Sequence, residues 1–373
     1  MKRFVLDTYR VWKHEFSVVF ADLGVIIFFL LLPFAYPLVY SSIYNPELAR
    51  DVPVVIIDEC RTPFSREYTR HLDASQYVKV NGYAANFGEA QHAMALKDCY
   101  GVIHIPADFD KKTGRGETAT VGVFCDMSLL LRYKSILLAV TEVATEMGNK
   151  VQADRLSSLK EITSINTINY SLTPIGNVEQ GLATAIMPGV LVLIIQQAII
   201  LAVCFLGVGA RYIQTTANPA SIVLGKALCY LTIMIVPSVF VLHFVPIIFS
   251  FPMNGNILEL TVFFLPFLLA VIFFGMTIQH LLPDRESTFL LVVFTSVAFV
   301  FLSGISWPRY AMSEFWQLVG NCLPSTWGIT GYVGLNTIGS TLTQQAVAYL
   351  ALWIQTIVYF VISCLLQKKR AIK

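Results

Sequence analysis

The sequence is poor in charge, and the charge it has is unevenly distributed. Charged residues make up 13% of the 373 residues, whereas soluble domains carry about 25%. Residues 41–179 hold 14 of the 26 lysines and arginines and 17 of the 24 aspartates and glutamates, which leaves 12 and 7 for the other residues. The chain therefore divides into a polar insert of ordinary composition and an apolar remainder. A net charge of +2 gives no reason to expect a nucleic-acid partner.

Motifs of catalysis and of nucleotide binding are missing as well. The sequence contains no HExxH, no GxSxG and no pair of aspartates within an apolar segment, so neither a membrane protease nor a lipase is indicated. The string Val223 to Ala227 is the nearest to a Walker A motif, but it lacks the upstream glycine and the Ser/Thr after its lysine. We therefore predict that the chain is not an enzyme, binds no cofactor or metal, and cannot hydrolyse ATP by the P-loop route.

Cysteine pairs at metal-binding spacing are absent among the seven cysteines. Cys60, Cys99 and Cys125 lie in the polar insert, and the other four lie in or beside apolar segments. The three in the insert form either one disulfide and a free thiol or three reduced thiols. The sequence leaves both alternatives open.

Long apolar segments, by contrast, are abundant. A helix that crosses a bilayer needs about 20 apolar residues, and because lipid cannot hydrogen-bond the backbone, such segments should be helical. The first candidate is too long for a signal peptide, so we expect an uncleaved anchor. We predict six spans, at residues 18–41, 183–208, 222–250, 259–282, 288–306 and 346–366.

Lysine and arginine are concentrated on one side of these spans. Basic residues precede the first span and follow the last, and Arg211, Lys226 and Arg285 lie between spans on that same side. The opposite side has few, since Arg309 is the one cation of residues 307–345. By the positive-inside rule, both termini are predicted to be cytoplasmic and the insert, residues 42–182, extracytoplasmic.

The insert has the pattern of a mixed α/β domain. Short apolar or alternating runs predict strands at 52–58, 77–83, 100–105 and 118–125. Helices are predicted at 62–72 and 87–96, the second with Asn86 as its N-cap. An amphipathic helix is predicted over 129–166, and it either covers the sheet or leads back to the membrane or to a partner.

Two other segments are amphipathic and rich in aromatic residues. Residues 1–17 interleave aromatic and basic side chains, which predicts a cytoplasmic interfacial helix. Residues 307–345 carry tryptophans and tyrosines, which favour the membrane–water interface, and are interrupted by glycines and prolines. We predict short interfacial or re-entrant helices there, on the outer side.

Three stretches of the sequence stand out by their order and spacing. They are Asp51–Asp58 with the later Gly101–Phe109, Pro219–Lys226 at the start of the third span, and Leu302–Pro308 followed by Leu323–Thr326. Together these stretches resemble the ABC-2 type permease family. The resemblance is closest to the bacterial multidrug and lipid exporters. It covers nearly the whole chain.

This resemblance implies the membrane subunit of an ATP-binding-cassette exporter in the bacterial inner membrane. Such a permease moves an amphipathic or hydrophobic substrate outward and forms a dimer with a second copy or a sister permease. ATP is bound by a pair of separate cytoplasmic P-loop ATPase subunits. In a cell with two membranes, a periplasmic adaptor is a further implied partner.

The resemblance also assigns roles to particular residues. It implies that the loop 209–221 couples to the ATPase, with candidate contacts at Arg211, Tyr212, Thr215, Thr216, Asn218 and Pro219. It implies an outer gate at Trp307, Pro308, Trp316, Pro324 and Trp327. The coupling loop lacks the acidic block typical of the family, so we expect either a contact made by shape and Arg211 or a sister permease that retains the block.

Polar side chains inside the apolar segments are the remaining candidates. Gln196, Gln197 and His243 either line the pathway or form hydrogen bonds between helices. An alternative to transport is a membrane-anchored sensor or scaffold, with an ectodomain that binds a ligand or partner and no associated ATPase. A membrane enzyme would need a polar catalytic cluster at one depth, and the sequence has none.

Overall fold

The computed structural model describes residues 2–44, 49–127, 130–158, 181–209 and 218–372. The chain forms two compact units. One consists of Met1–Asn45 and Thr173–Lys373 and contains the apolar segments, whereas the other, Pro46–Leu172, is the inserted domain. Each unit is built around hydrophobic clusters of its own.

Among the described residues, six helices are long and apolar enough to cross a membrane. They are span one, Leu23–Tyr44; span two, Leu182–Val208; span three, Pro219–Ile248; span four, Ile257–Ile278; span five, Arg285–Leu302; and span six, Ala346–Lys369. The six predicted spans are thereby confirmed as helices, with ends that shift by up to five residues.

A separate helix, Lys2–Ala21, precedes span one and is called here the N-terminal helix. It ends four residues later than the predicted interfacial helix, and the boundary with span one lies at Asp22 rather than between residues 17 and 18. Asp22 has an extended backbone, and its side chain accepts a hydrogen bond of 3.1 Å from the Gly24 amide. A carboxylate that caps the next helix in this way ends one helix and begins another.

Prolines interrupt the backbone hydrogen bonding of the spans, and the surrounding helices compensate. Pro246 in span three has no amide hydrogen, so the carbonyl of Leu242 loses its usual helical donor. A π-helical turn, Phe240–Phe244, lies just before this proline. The buried hydroxyl of Tyr332 donates a hydrogen bond of 2.9 Å to the Leu242 carbonyl. The carbonyl freed by the proline is therefore hydrogen-bonded by a distant part of the chain.

The inserted domain is a four-stranded mixed sheet with helices, as predicted. Its strands are β1 (Val52–Asp58), β2 (Val78–Tyr83), β3 (Gly101–Ile105) and β4 (Gly122–Cys125), in the order β2-β1-β3-β4. Strand β1 is parallel to β2 and β3, whereas β4 is antiparallel to β3. The helices are Pro63–Ala74, Phe87–Ala95, Phe109–Arg115 and Leu130–Ser158. Strand β4 begins four residues later than predicted.

Local signals in the sequence account for these helices. Asn86 is the N-cap of its helix, since its side chain accepts a hydrogen bond of 2.9 Å from the Glu89 amide.

The long helix Leu130–Ser158 buries its predicted apolar stripe together with the strands, at Ile136, Val140, Val143 and Met147. This helix covers the sheet, which decides between the two alternatives; residues 159–166 of the prediction lie outside the described residues.

The three cysteines of the inserted domain are free thiols. Cys60 and Cys125 pack beside the larger hydrophobic cluster of the domain, whereas Cys99 belongs to the smaller one. Burial raises the pKa of the Cys125 thiol to about 11. The structure therefore corresponds to the alternative of three reduced thiols.

Between spans five and six the chain forms short helices. A 3-10 turn at Arg309–Ala311 is followed by helices Glu314–Asn321 and Pro324–Tyr332, and the second continues as a π-helix, Val333–Ile338. We call residues 314–338 the hairpin. Broken helices of this kind were predicted from the glycines and prolines of the segment.

Candidate functional site

Only the two ends of the predicted coupling loop are described by the structure. Arg211, Tyr212, Thr215 and Thr216 lie outside the described residues. Asn218 is the N-cap of span three, where its side chain accepts a hydrogen bond of 3.1 Å from the Ala220 amide, and Pro219 is the first helical residue. Proline is favoured at that position because its missing amide hydrogen would have no partner there.

The N-terminal helix packs closely along the first half of span three. The contact centres on Gly225, where a Cβ atom would lie 2.7 Å from the carbonyl oxygen of Thr8 and 2.8 Å from the Cβ of Val11. Only glycine permits such a close approach of the two helices, because any side chain would collide with the backbone of Thr8. Gly225, which lies in the Pro219–Lys226 stretch of the family resemblance, thus positions the N-terminal helix.

A buried ionic cluster fixes the same contact. Oε1 of Glu15 accepts a hydrogen bond of 2.5 Å from the Tyr230 hydroxyl and lies 3.2 Å from Nζ of Lys226. The Glu15 side chain is 5% exposed and that of Lys226 26%. A carboxylate in such surroundings is stable only when it is paired and hydrogen-bonded. The cluster therefore holds the N-terminal helix in one register on span three.

A second ion pair ties the end of the N-terminal helix to span five. Oδ2 of Asp22 lies 2.9 Å from Nη1 of Arg285, and the guanidinium of Arg285 lies over the Phe205 ring at 4.6 Å from its centroid. A guanidinium over an aromatic face gains a cation–π attraction. Arg285 thus joins the start of span five to span one and span two.

Sequence reasoning missed Glu15 and Asp22. The sequence did contain a signal for Glu15. One face of the N-terminal helix is formed by residues at three- or four-residue spacing, namely Thr8, Val11, Glu15 and Val19. An acid on such a face needs a partner. Its partners, Lys226 and Tyr230, are more than 200 residues away, and no local pattern identifies them.

The predicted gate residues lie in two different environments. Trp307 and Trp316 are 55% and 53% exposed. Pro324 is buried as the first residue of its helix. Trp327 is half-buried and donates a hydrogen bond of 3.0 Å to the Asn321 carbonyl, with the Arg309 guanidinium over its ring. Pro308 forms the N-cap of the 3-10 turn.

The turn of the hairpin is attached to the middle of span six. Nε2 of Gln355 donates a hydrogen bond of 2.8 Å to the Asn321 carbonyl, and the hydroxyl of Tyr359 donates one to the Cys322 carbonyl. Gln355 and Tyr359 occupy the tenth and fourteenth positions of the 24-residue span six. The hairpin therefore reaches well along the bundle.

Close packing holds the hairpin against span four. A Cβ atom at Gly331 would lie 2.0 Å from the ring of Phe263. The hairpin can therefore pack here only because residue 331 is a glycine, which has no side chain. Phe263 is itself fully buried. The glycines that the sequence suggested as helix breakers serve instead as contact points.

The three polar candidates of the spans are placed in spans two and three. Gln196 is fully buried, and the side-chain nitrogen and oxygen of both Gln196 and Gln197 have no hydrogen-bond partner among the described residues. His243 is half-buried in the π-helical turn of span three, edge-on to Phe244. Unpaired buried amides are costly, so the two glutamines are the stronger candidates for contact with a polar ligand.

The comparisons with known proteins agree with the architecture. The profile of the ABC-2 family transporter proteins matches residues 23–365, from the first residue of span one into span six. No curated protein and no solved structure matches the sequence. Because the match includes the first five spans, most of the sixth and the inserted domain, the chain is a multi-pass membrane protein that belongs to the ABC-2 family of transporter proteins.

Proposed function

We propose that the protein is the permease subunit of an ATP-binding-cassette exporter that moves an amphipathic or hydrophobic substrate outward across the bacterial inner membrane. The observation that carries the proposal is the family match over residues 23–365. The sequence has no P-loop, so the ATP is bound by a partner, a pair of cytoplasmic P-loop ATPase subunits. A second copy of the chain or a sister permease completes the transporter.

The N-terminal helix and the loop 209–221 form the ATPase contact in this proposal. The helix is held on span three by Gly225 and Glu15 and on span five by the Asp22–Arg285 pair. A force applied to this helix is thereby passed to spans one, three and five. Because the loop lacks a carboxylate, Arg211 and the shape of the loop provide the remaining contact.

The hairpin serves as the outer gate, and the glutamines of span two lie on the pathway. The support is the attachment of the hairpin to the middle of span six and the unpaired amides of Gln196 and Gln197. The pathway itself is weakly charged, which fits an amphipathic substrate better than a polysaccharide.

Transport is tested in inverted membrane vesicles from cells that express the chain with its candidate P-loop ATPase. We expect ATP-dependent uptake of a fluorescent amphipathic cation such as ethidium, or of a fluorescent phospholipid. An ATPase variant without its catalytic glutamate is the control and should abolish uptake. A sensor or scaffold would show neither uptake nor an ATPase that copurifies with the chain, and that result would overturn the proposal.

Orientation is tested by cysteine labelling in a chain whose native cysteines are replaced by serine. Lys79→Cys in β2 should react with a membrane-impermeant maleimide in spheroplasts, because the inserted domain is proposed to be extracytoplasmic. Lys368→Cys, at the end of span six, should react only after the membrane is permeabilised. The reverse pattern would place the termini outside.

A further inference from the structure

An apolar groove of about 450 Å³ lies between the N-terminal helix and span three. Phe4, Tyr9 and Trp12 form one wall, and Leu224 and Leu228 belong to the other. The groove is accessible from outside, since Val5, Tyr9 and Leu228 at its rim are 61%, 56% and 38% exposed.

The walls of the groove present little that could bind a polar ligand. Two of its three hydroxyl groups, those of Thr8 and Thr232, donate to the carbonyls of Phe4 and Leu228 within their own helices, at 2.9 and 2.7 Å. Apart from the hydroxyl of Tyr9 and the indole N–H of Trp12, the remaining surface is aliphatic and aromatic. The chemistry of the groove therefore fits a hydrocarbon chain.

The groove is a fixed feature of this unit. The close approach at Gly225 and the buried pair of Glu15 with Lys226 hold the two helices at one separation. A groove whose walls are fixed loses little conformational freedom when it is filled.

The exposed side of the N-terminal helix carries an excess of positive charge. Arg3, Arg10 and Lys13 are exposed, whereas the acid Asp7, which lies 3.9 Å from Arg10, is partly buried with a side chain that is 20% exposed. Val5, Tyr9 and Lys13 are spaced by four residues and lie on one stripe of the helix. Lys13 is thus the next residue along the stripe that forms the rim of the groove, and its long side chain can place an ammonium group at a polar headgroup.

We propose that this groove is a binding site for an anionic phospholipid, with one acyl chain between the N-terminal helix and span three and the phosphate at Lys13. The pairing of an apolar groove with a cation at its rim matches the two parts of such a lipid. Tyr9 at the rim and Trp12 in the wall fit the depth at which the headgroup meets the chain. The proposal does not depend on transport or on an ATPase.

The test uses the full chain reconstituted in vesicles of equal parts dioleoylphosphatidylglycerol and dioleoylphosphatidylcholine, then extracted in mild detergent. Native mass spectrometry counts the lipids that remain bound. We expect a phosphatidylglycerol molecule to be retained with about a fivefold preference, the size expected for one lysine near an anionic headgroup. The preference should fall as salt is raised.

Two variants block the groove from opposite walls, and one removes the cation. Leu228→Trp and Val5→Trp should each lose the retained lipid, and Lys13→Gln should keep a lipid without the preference for phosphatidylglycerol. Leu290→Trp, at a 61% exposed position of span five, and Lys79→Gln, in the inserted domain, are the matched controls and should behave as the parent chain.

Several results would overturn the proposal. One is equal retention of the two lipids by the parent chain, and another is unchanged retention by both tryptophan variants. Loss of a chain–chain complex in Leu228→Trp, with no loss of lipid, would assign the groove to a second copy instead. Because each wall is blocked separately, misfolding of one variant still leaves the other as a test.

Discussion

Glu15 in the N-terminal helix and Tyr230 in span three are 215 residues apart in sequence and share a hydrogen bond of 2.5 Å. Both residues are almost completely buried, at 4% and 1% exposure. A buried carboxylate is costly unless its charge is paired, and Lys226 supplies that charge. The contact makes the N-terminal helix a part of the bundle.

Removing Glu15 should release the N-terminal helix from span three. Breaking a buried ion pair costs roughly 3–5 kcal/mol. Because the Lys226 side chain is 26% exposed and can turn to water, we expect the lower end for Glu15→Ala, about 3 kcal/mol. The measurement is amide hydrogen exchange of residues 2–21 in the purified protein.

Asp7→Asn is the matched control, because it removes the same charge from the same helix but leaves the contact with span three intact. Its exchange should differ little from that of the parent chain, since Arg10, the partner of Asp7, is 70% exposed and such a pair contributes little. Equal exchange in Glu15→Ala and Asp7→Asn would show that the buried cluster does not hold the helix.

Gly225→Ala should weaken the same contact for a steric reason. The new methyl group would lie 2.7 Å from the Thr8 carbonyl oxygen, which belongs to the backbone and cannot rotate away. We expect a loss of about 1–3 kcal/mol in the protection of residues 2–21 from exchange.

Gly148→Ala provides a control of opposite sign. Gly148 lies in the helix Leu130–Ser158, and a Cβ atom there would meet no atom within 4 Å. Alanine should therefore stabilise that helix by about 0.5–1 kcal/mol. A loss of protection at Gly148 and none at Gly225 would contradict the packing described here.

Gly331→Ala should displace the hairpin from span four. The added methyl group would lie 2.0 Å from the Phe263 ring, so the ring or the hairpin must move. We expect a cost of about 1–3 kcal/mol from overpacking, measured as thermal stability in detergent. The double variant with Phe263→Leu should be no less stable than Phe263→Leu alone, because the smaller side chain leaves space for the methyl group. Simple additivity of the two changes would argue against this contact.

The inserted domain should lose stability in acid partly through Glu67. Nζ of Lys150 lies 2.7 Å from Oε1 of Glu67 and holds the pKa of that carboxyl below its ordinary value of 4.5. The pair links the helices Pro63–Ala74 and Leu130–Ser158. A pKa that is lower in the folded state adds stability that is complete above 4.5 and is lost as the pH falls through the folded value.

Glu67→Gln should therefore make hydrogen exchange in residues 63–74 less dependent on pH below 4.5. Above that pH the variant should exchange faster than the parent chain, since the parent alone keeps the ion pair. Asp110→Asn, a change of the same charge on the neighbouring helix, is the control. An unchanged pH dependence in Glu67→Gln would show that Lys150 does not act on this carboxyl.

Composition and spacing were enough to identify the spans and most of the inserted domain. A run of about 20 apolar residues has few stable structures other than a helix in lipid, which is why all six spans were found. Strands β1 and β3 were recognisable as short apolar runs, and Asn86 as a cap. These features are decided by residues that are close together in the chain, so they can be predicted from one sequence.

Ends of elements were less predictable. The boundary at Asp22 was missed because the sequence on both sides is apolar enough to continue one helix. The aspartate ends the N-terminal helix there by capping the next helix and pairing with Arg285, which is 263 residues away. A partner so far away in the chain cannot be predicted from the residues around Asp22.

The sequence by itself determined that the chain has six spans, one polar insert and no P-loop, because apolar length and motif spacing are local properties. Only the tertiary structure decided that Glu15 pairs with Lys226 and Tyr230, that Gly225 and Gly331 are contact points, and that the hairpin attaches to Gln355. Each of these depends on which helices are neighbours, and that choice is made by the packing of the whole bundle.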